Sequence, residues 1–224
     1  FLATGGSFSQ VKTQIPIGTS TEQYRFWVQR LTLDAGLALG RYGELRAGLR
    51  RDSTNGRAQG DDADELPEFD RSDGGFRLNL TVDQIDSVNF PRNGLLAFLE
   101  LYEAKASLGA DIPYKRFDFN IVLAGTHRRH TVVGILHGGS ALGGTLTPSE
   151  RLQLGGLFSL SGLQRGEVTG SYGGVATLIY FFRLGRRPNF GEGIYVGASL
   201  EAGNLWQTQD QVSRHDLLYS YAIV

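Results

Sequence analysis

Trp27-Val28-Gln29-Arg30-Leu31-Thr32-Leu33-Asp34-Ala35-Gly36-Leu37-Ala38-Leu39-Gly40 alternates residue by residue. The odd positions carry Trp27, Leu31, Leu33, Ala35, Leu37 and Leu39. The even positions carry Arg30, Thr32, Asp34, Gly36, Ala38 and Gly40. A period of two places one row on each face of an extended strand, whereas a helix repeats its apolar residues every three or four positions. The same alternation returns along the chain. Leu45, Ala47 and Leu49 oppose Glu44, Arg46, Gly48 and Arg50, and Phe76, Leu78, Leu80 and Val82 oppose Arg77, Asn79, Thr81 and Asp83. Phe117, Phe119, Ile121 and Leu123 oppose Arg116, Asp118 and Asn120. Ile194, Val196, Ala198 and Leu200 oppose Tyr195, Gly197, Ser199 and Glu201. No stretch sustains a helical period.

These segments and the turn signals between them predict about ten strands, near 1–15, 23–40, 42–54, 72–87, 94–105, 113–128, 130–141, 172–184, 193–206 and 216–224. Arg41-Tyr42-Gly43, Pro91-Arg92-Asn93-Gly94 and Arg186-Arg187-Pro188-Asn189 mark strand ends. Two connections are long. Residues 55–71 hold Asp61, Asp62, Asp64, Glu65, Glu68 and Asp70, an acidic loop suited only to water. Residues 142–171 are rich in Gly, Ser and Thr yet apolar enough to fold back on something. Long connections alternating with short ones suit a barrel with one elaborated rim and one trimmed rim.

Composition narrows the classes. The chain has 224 residues, 22 Lys and Arg against 23 Asp and Glu, and a net charge of −1. Without a basic excess it is not expected to bind nucleic acid. Zero Cys excludes disulfides, thiolate metal sites and a cysteine nucleophile. Glycine is abundant, 31 of 224 residues, roughly twice the ordinary share. The opening Phe1-Leu2-Ala3-Thr4 lacks an initiator Met and a signal peptide, which suggests an internal piece of a longer protein. No apolar run approaches the ~18 residues of a spanning helix, which leaves the alternating strands of a membrane β-barrel.

A soluble β-sandwich or small soluble barrel also alternates. Three features favour the membrane barrel. Residues 23–40 would extend ~60 Å at ~3.3 Å per residue. The polar rows carry full charges of both signs (Arg46, Arg50, Arg77, Asp83, Arg116, Asp118 and Glu201), suited to a watery lumen. Tyr24, Phe26, Trp27, Tyr180, Phe181, Phe182, Trp206, Tyr219 and Tyr221 gather near strand ends, as interfacial girdles do. These features favour an all-β fold, an antiparallel transmembrane β-barrel spanning residues 1–224 as one domain, over the soluble alternative.

Three motifs sharpen the reading. Asp83-Gln84-Ile85-Asp86-Ser87-Val88-Asn89-Phe90-Pro91-Arg92-Asn93-Gly94 resembles the D-x-x-D-x-x-x-F-P-R-x-G signature of the bacterial surface antigen superfamily, the BamA/TamA-like outer-membrane barrels. Pro91 fixes φ, Gly94 permits φ > 0, and Phe90 can seal a rim. Leu154-Gly155-Gly156-Leu157-Phe158-Ser159-Leu160-Ser161-Gly162-Leu163 is similar to the family's lumen-loop motif, in which G-G precedes V-R-G-F/Y; the resemblance implies that 142–171 folds into the barrel lumen. The segment Glu201-Ala202-Gly203-Asn204-Leu205-Trp206 is similar to its late strand, an acid followed by x-G-N-x-W. The motifs occur in the family's order.

One departure is informative. The family's loop arginine falls on Ser161, so its contact to the lumen acid cannot form from that position, and Arg165 is the candidate substitute. The L-S-G variant resembles the branch in which the barrel follows a patatin-like phospholipase and a POTRA module (PlpD-type, type Vd secretion). That resemblance implies a Gram-negative outer-membrane anchor or translocator, partnered by outer-membrane lipid or lipopolysaccharide, its own N-terminal domains, the assembly machinery and a second copy of itself. It implies a sixteen-strand barrel of which strands are missing on both sides. The alternatives are a BamA/TamA-type assembly factor and a soluble binding barrel.

No catalytic residue, cofactor or metal ligand is expected here. There is no G-x-S-x-G elbow for a serine nucleophile. Asp73-Gly74-Gly75 reads as a turn, and His137-Gly138-Gly139-Ser140 as a Gly-rich strand end. His127 and His130 flank Arg128-Arg129, whose cations disfavour a metal. Arg128, Arg129, Arg186 and Arg187 are solvated turn residues or contacts to anionic headgroups. Glu100 and Glu103 fit a rim or the lumen.

Overall fold

The computed structural model describes residues 1–17, 20–59, 68–185 and 194–224. Among these, ten long strands build one antiparallel sheet. They are β1 (Leu2–Ile17), β2 (Ser20–Ala38), β3 (Gly43–Gln59), β4 (Phe69–Asp83), β5 (Gly94–Ala104), β6 (Tyr114–His127) and β7 (His130–Gly143). After the short β8 (Leu152–Leu154) and β9 (Val168–Gly170) come β10 (Tyr172–Gly185), β11 (Ile194–Trp206) and β12 (Leu218–Ile223). The sheet order is β1-β2-β3-β4-β5-β6-β7-β10-β11-β12, and β8 pairs with β9 as a separate hairpin. Consecutive long strands therefore pair, with β7 passing to β10 through the connection that holds the β8–β9 hairpin; short 3-10 turns lie in the β5–β6 and β11–β12 connections. β1 and β12 end the sheet, so the barrel is open in this chain.

Register sets which face each row meets. Leu33 pairs with Leu49, Leu49 with Phe76, and Leu78 with Leu101. All of these stand on the convex face, where Leu31 and Leu200 are each 65% exposed. The intervening row points inward, where Asp34, Arg50, Asp52, Asn79, Thr177 and Glu201 are buried. Ionic groups inside and leucines outside invert the arrangement of a water-soluble sheet.

The sheet must also curl. At ~4.8 Å per strand step, the β4–β5 turn would lie ~19 Å from β11 in a flat sheet. Yet Phe90 of that turn stacks on Tyr195 of β11, 5.8 Å between ring centres.

The structure corrects several details. Asn55–Gln59 and Phe69–Arg71 continue β3 and β4, so the acidic loop is shorter than expected. Asp70 lies on β4, Glu68 is exposed beside it, and Asp61, Asp62, Asp64 and Glu65 lie outside the described residues, as does the 186–189 turn. Tyr24 and Phe26 do not belong to an outer girdle. They point inward and pack on Phe69, with Tyr24 and Phe69 5.2 Å apart. Their even numbering on β2 fixes that direction. Phe181 also points inward, whereas Tyr180, Tyr219 and Tyr221 face outward.

Candidate functional site

The connection between β7 and β10 lies against the inner wall and is held at two points. The first is Ser161. Glu201 of β11 accepts its backbone N–H at 2.5 Å and its hydroxyl at 2.6 Å, and also accepts the Ser199 hydroxyl at 2.7 Å. The neighbouring Gly162 N–H donates to Ser220 Oγ of β12 at 2.8 Å. Thr177 Oγ1 donates to the Phe158 carbonyl at 2.8 Å, and Ser159 Oγ lies 3.2 Å from His137 Nε2. Phe158 and Leu160 both take positive φ, 63° and 71°. That unusual backbone lets Leu160 turn under the loop into a cluster with Leu154, Val175 and Leu205. The Gly155-Gly156 pair, at φ 122° and 95°, carries the chain into this turn.

Arg165 does not take over the missing arginine's role. It is exposed, while Ser161 itself reaches Glu201 through two donors. A short side chain brings its backbone N–H close enough to replace a guanidinium. The loop motif and the late-strand motif thus meet through Ser161 and Glu201. The rest of the late-strand motif secures the wall. Asn204 donates to the Asp216 carbonyl at 2.7 Å, and Gly203 leaves room for the adjoining β10 backbone at Gly174 and Val175. Trp206 lies beside Gly173 on β10.

The second point is Glu150, which the sequence reading did not single out. It ends a Pro-initiated 3-10 turn over Pro148–Glu150 and is 6% exposed. Arg116 Nη1 of β6 donates to its Oε2 at 2.9 Å and to its carbonyl at 2.6 Å, and Arg50 Nη2 of β3 lies 3.4 Å from Oε1. Burial alone would raise this carboxyl, but Arg50 and Arg116 overcome it and hold its pKa at about 2. Arg50 also bonds Asp52 through Nε at 2.8 Å and rests 4.1 Å from the Tyr102 ring centre. Arg30 reaches Asp52 in bidentate fashion, Arg116 reaches Asp118, and Arg77 lies 3.5 Å from both Asp34 and Glu100. A buried cation needs an acid within reach, and the loop supplies one. The available signal was the stacking of inward Arg residues on β3 and β6.

The turn motif sits at the opposite end of the strands. Asp86 Oδ1 accepts the Arg92 N–H at 2.8 Å, a bond that holds Asp86 below the ordinary carboxylate range. The Arg92 carbonyl accepts from Thr126 Oγ1 at 2.7 Å. Pro91 lies between Arg92 and Phe90, whose ring covers Phe181 and Tyr195. At Gly94, φ is 117° and a Cβ would strike the Gln84 carbonyl. Asp83 ends β4 and is exposed.

Other candidates are placed plainly. Glu100 faces the lumen, while Glu103 faces outward between Lys105 and Lys115 at 3.5 and 3.1 Å. Arg128 and Arg129 form a two-residue turn between the paired His127 and His130, with Arg128 at φ 57°. Asp73 is buried in β4 and accepts the Tyr114 hydroxyl at 2.8 Å. His137 and Ser140 stand on opposite faces of β7, so they form no catalytic pair. Among the described residues no group of three or more His, Asp or Glu is placed to hold a metal.

An outward apolar sheet wrapped around an ionic interior and a returning loop defines an outer-membrane-type β-barrel. The profile of the Omp85 superfamily domain matches residues 6–219, and the chain belongs to that superfamily. Among solved structures, BamA from Haemophilus ducreyi, determined without POTRA domains 1–3, shares the fold. Its TM-score is 0.72 over 99% of this chain and 52% of that one, at 13% identity. At that identity the likeness is one of fold, and this chain spans about half the length of that structure. No curated protein matches the sequence significantly.

Proposed function

We propose that these residues are the membrane-embedded barrel of a Gram-negative outer-membrane protein, anchoring and presenting a patatin-like phospholipase that lies outside residues 1–224. The inverted sheet carries the first half of this reading, because leucine rows suit acyl chains and the paired charges suit a hydrated bore. Ser161 supports the second half, since the L-S-G variant of the loop motif resembles the lipase-coupled branch. The anchor acts physically. Strands fully paired in a closed barrel leave no open backbone in hydrocarbon, where each orphan group costs several kcal/mol. The loop, fastened at Glu150 and Ser161, braces the bore. In this reading the assembly machinery inserts the barrel, which can associate with a second copy, and residues 1–224 carry no catalysis of their own.

The full-length protein tests this. It should sediment with outer-membrane fractions, show heat-modifiable gel mobility, and carry phospholipase activity that upstream substitutions abolish. POTRA repeats without a lipase upstream would instead favour an assembly factor of the BamA type. Ester hydrolysis lost on Ser140→Ala would overturn the non-enzymatic assignment.

A further inference from the structure

The outer face of β2, β3 and β4 changes character in one direction. Three successive cross-strand rows are apolar: Leu37–Leu45–Leu80, Ala35–Ala47–Leu78 and Leu33–Leu49–Phe76. The next is Leu31–Arg51–Gly74, then Gln29–Ser53–Ser72, then Trp27–Asn55–Asp70. Toward the rim that carries the long connections, the face thus runs from hydrocarbon-like, through a cation, to hydroxyls, amides and an aromatic ring.

Two depressions lie at successive heights along this face. One, of about 270 Å³, is floored by Leu31, Leu33 and Leu49 and edged by Arg51. The other, of about 510 Å³, lies above it among Phe8, Trp27, Gln29, Asn55 and Asp70. Arg51 is exposed and spends one donor on the Leu108 carbonyl, at 2.8 Å. Lys105 Nζ lies 5.5 Å from the Phe76 ring centre on the same face, and Lys115 joins it around Glu103. Arg51, Lys105 and Lys115 thus stand with Glu103 where the apolar rows end, and Asp111, which accepts the Ser72 N–H at 2.7 Å, and Asp70 lie one and two rows above.

We infer that this face binds a phosphorylated glycolipid of the outer leaflet, of the lipopolysaccharide class. Its acyl chains lie along the leucine rows, a phosphate meets Arg51 and Lys105, and sugar rings rest on Trp27 and Phe8 beside Gln29 and Asn55. Each level has its own chemistry. Guanidinium and ammonium groups take phosphate oxygens, and aromatic faces flanked by amides and carboxylates take the apolar and hydroxylated sides of a sugar. A plain phospholipid would use the lower two levels and leave the upper depression empty. The inference rests on the outer-membrane reading, with the long-connection rim outward.

The test uses the full-length protein in detergent, titrated with bisphosphorylated lipid A bearing core sugars and read by native mass spectrometry. The expected order of affinity is this glycolipid, then its dephosphorylated form, then phosphatidylglycerol, with about tenfold lost on removing the phosphates. Arg51→Ala with Lys105→Ala should lose a similar factor while heat-modifiable mobility is kept, and Trp27→Ala should weaken the glycolipid but not phosphatidylglycerol. Equal binding of the three lipids by the unmodified protein overturns the inference and needs no variant to fold. Absence of the protein from the outer membrane would instead overturn the reading beneath it.

Discussion

The Glu201 carboxylate accepts both the backbone N–H and the hydroxyl of Ser161, a residue 40 positions earlier in the chain. One acid thereby fixes the tip of the lumen loop to the β11 wall and orients Ser199 as well.

Glu201→Ala should free that tip. It removes the acceptor of three hydrogen bonds, and each charge-assisted bond contributes about 1.5–3 kcal/mol. Trypsin cleavage at the exposed Arg165, followed on the protein in vesicles, should accelerate by roughly tenfold or more. Cleavage at the parent rate would show that the loop is held elsewhere.

Glu150→Gln should cost about 3–5 kcal/mol, because Arg50 and Arg116 would lose their shared anion in a buried setting. The acid limb follows the same logic. The folded pKa of about 2 lies below the ordinary 4.5, so the clamp's stabilisation is complete above pH ~4.5 and is lost as pH falls toward 2. Loop protection from an acid-tolerant protease such as pepsin should fade across that window, and the fading attributable to Glu150 should vanish in the variant. Protection independent of pH from 5 to 2 would contradict the assignment.

Leu78→Arg, on the convex face, should destabilise the folded barrel by about 2–4 kcal/mol near the bilayer midplane. Thr81→Arg, one face over, should be mild. Urea unfolding in lipid vesicles distinguishes them, and equal shifts would refute the outward placement of the leucine rows.

Gly94→Ala should cost about 1–3 kcal/mol, since φ is 117° and the new Cβ meets the Gln84 carbonyl. The lowered unfolding midpoint should appear with strand content retained by circular dichroism. An unchanged midpoint would mean that the turn relaxes freely.

Strand order and the facing of most rows were legible because a period of two survives in β2, β3, β4, β6 and β11. The ends of β3 and β4 were not. Asn55–Gln59 carries no alternating apolar row, so nothing in its pattern separates a strand from a loop. Tyr24 and Phe26 look like girdle residues by composition, and only strict parity with Asp34 turns them inward. The 152–154 and 168–170 hairpin is too short to show a period. Ser161 stood out only against the family pattern. Glu150 had no local mark at all, because its partners Arg50 and Arg116 are supplied by the wall and not by its neighbours in sequence.

The anchors of the returning loop lie on both sides of it along the chain. Arg50 is 100 residues before Glu150, and Glu201 is 40 residues after Ser161. Such distant closures form late in folding. Seating of the loop therefore cannot be finished until both early and late staves of the cylinder are in position, and a seated loop is a built-in report that insertion is complete.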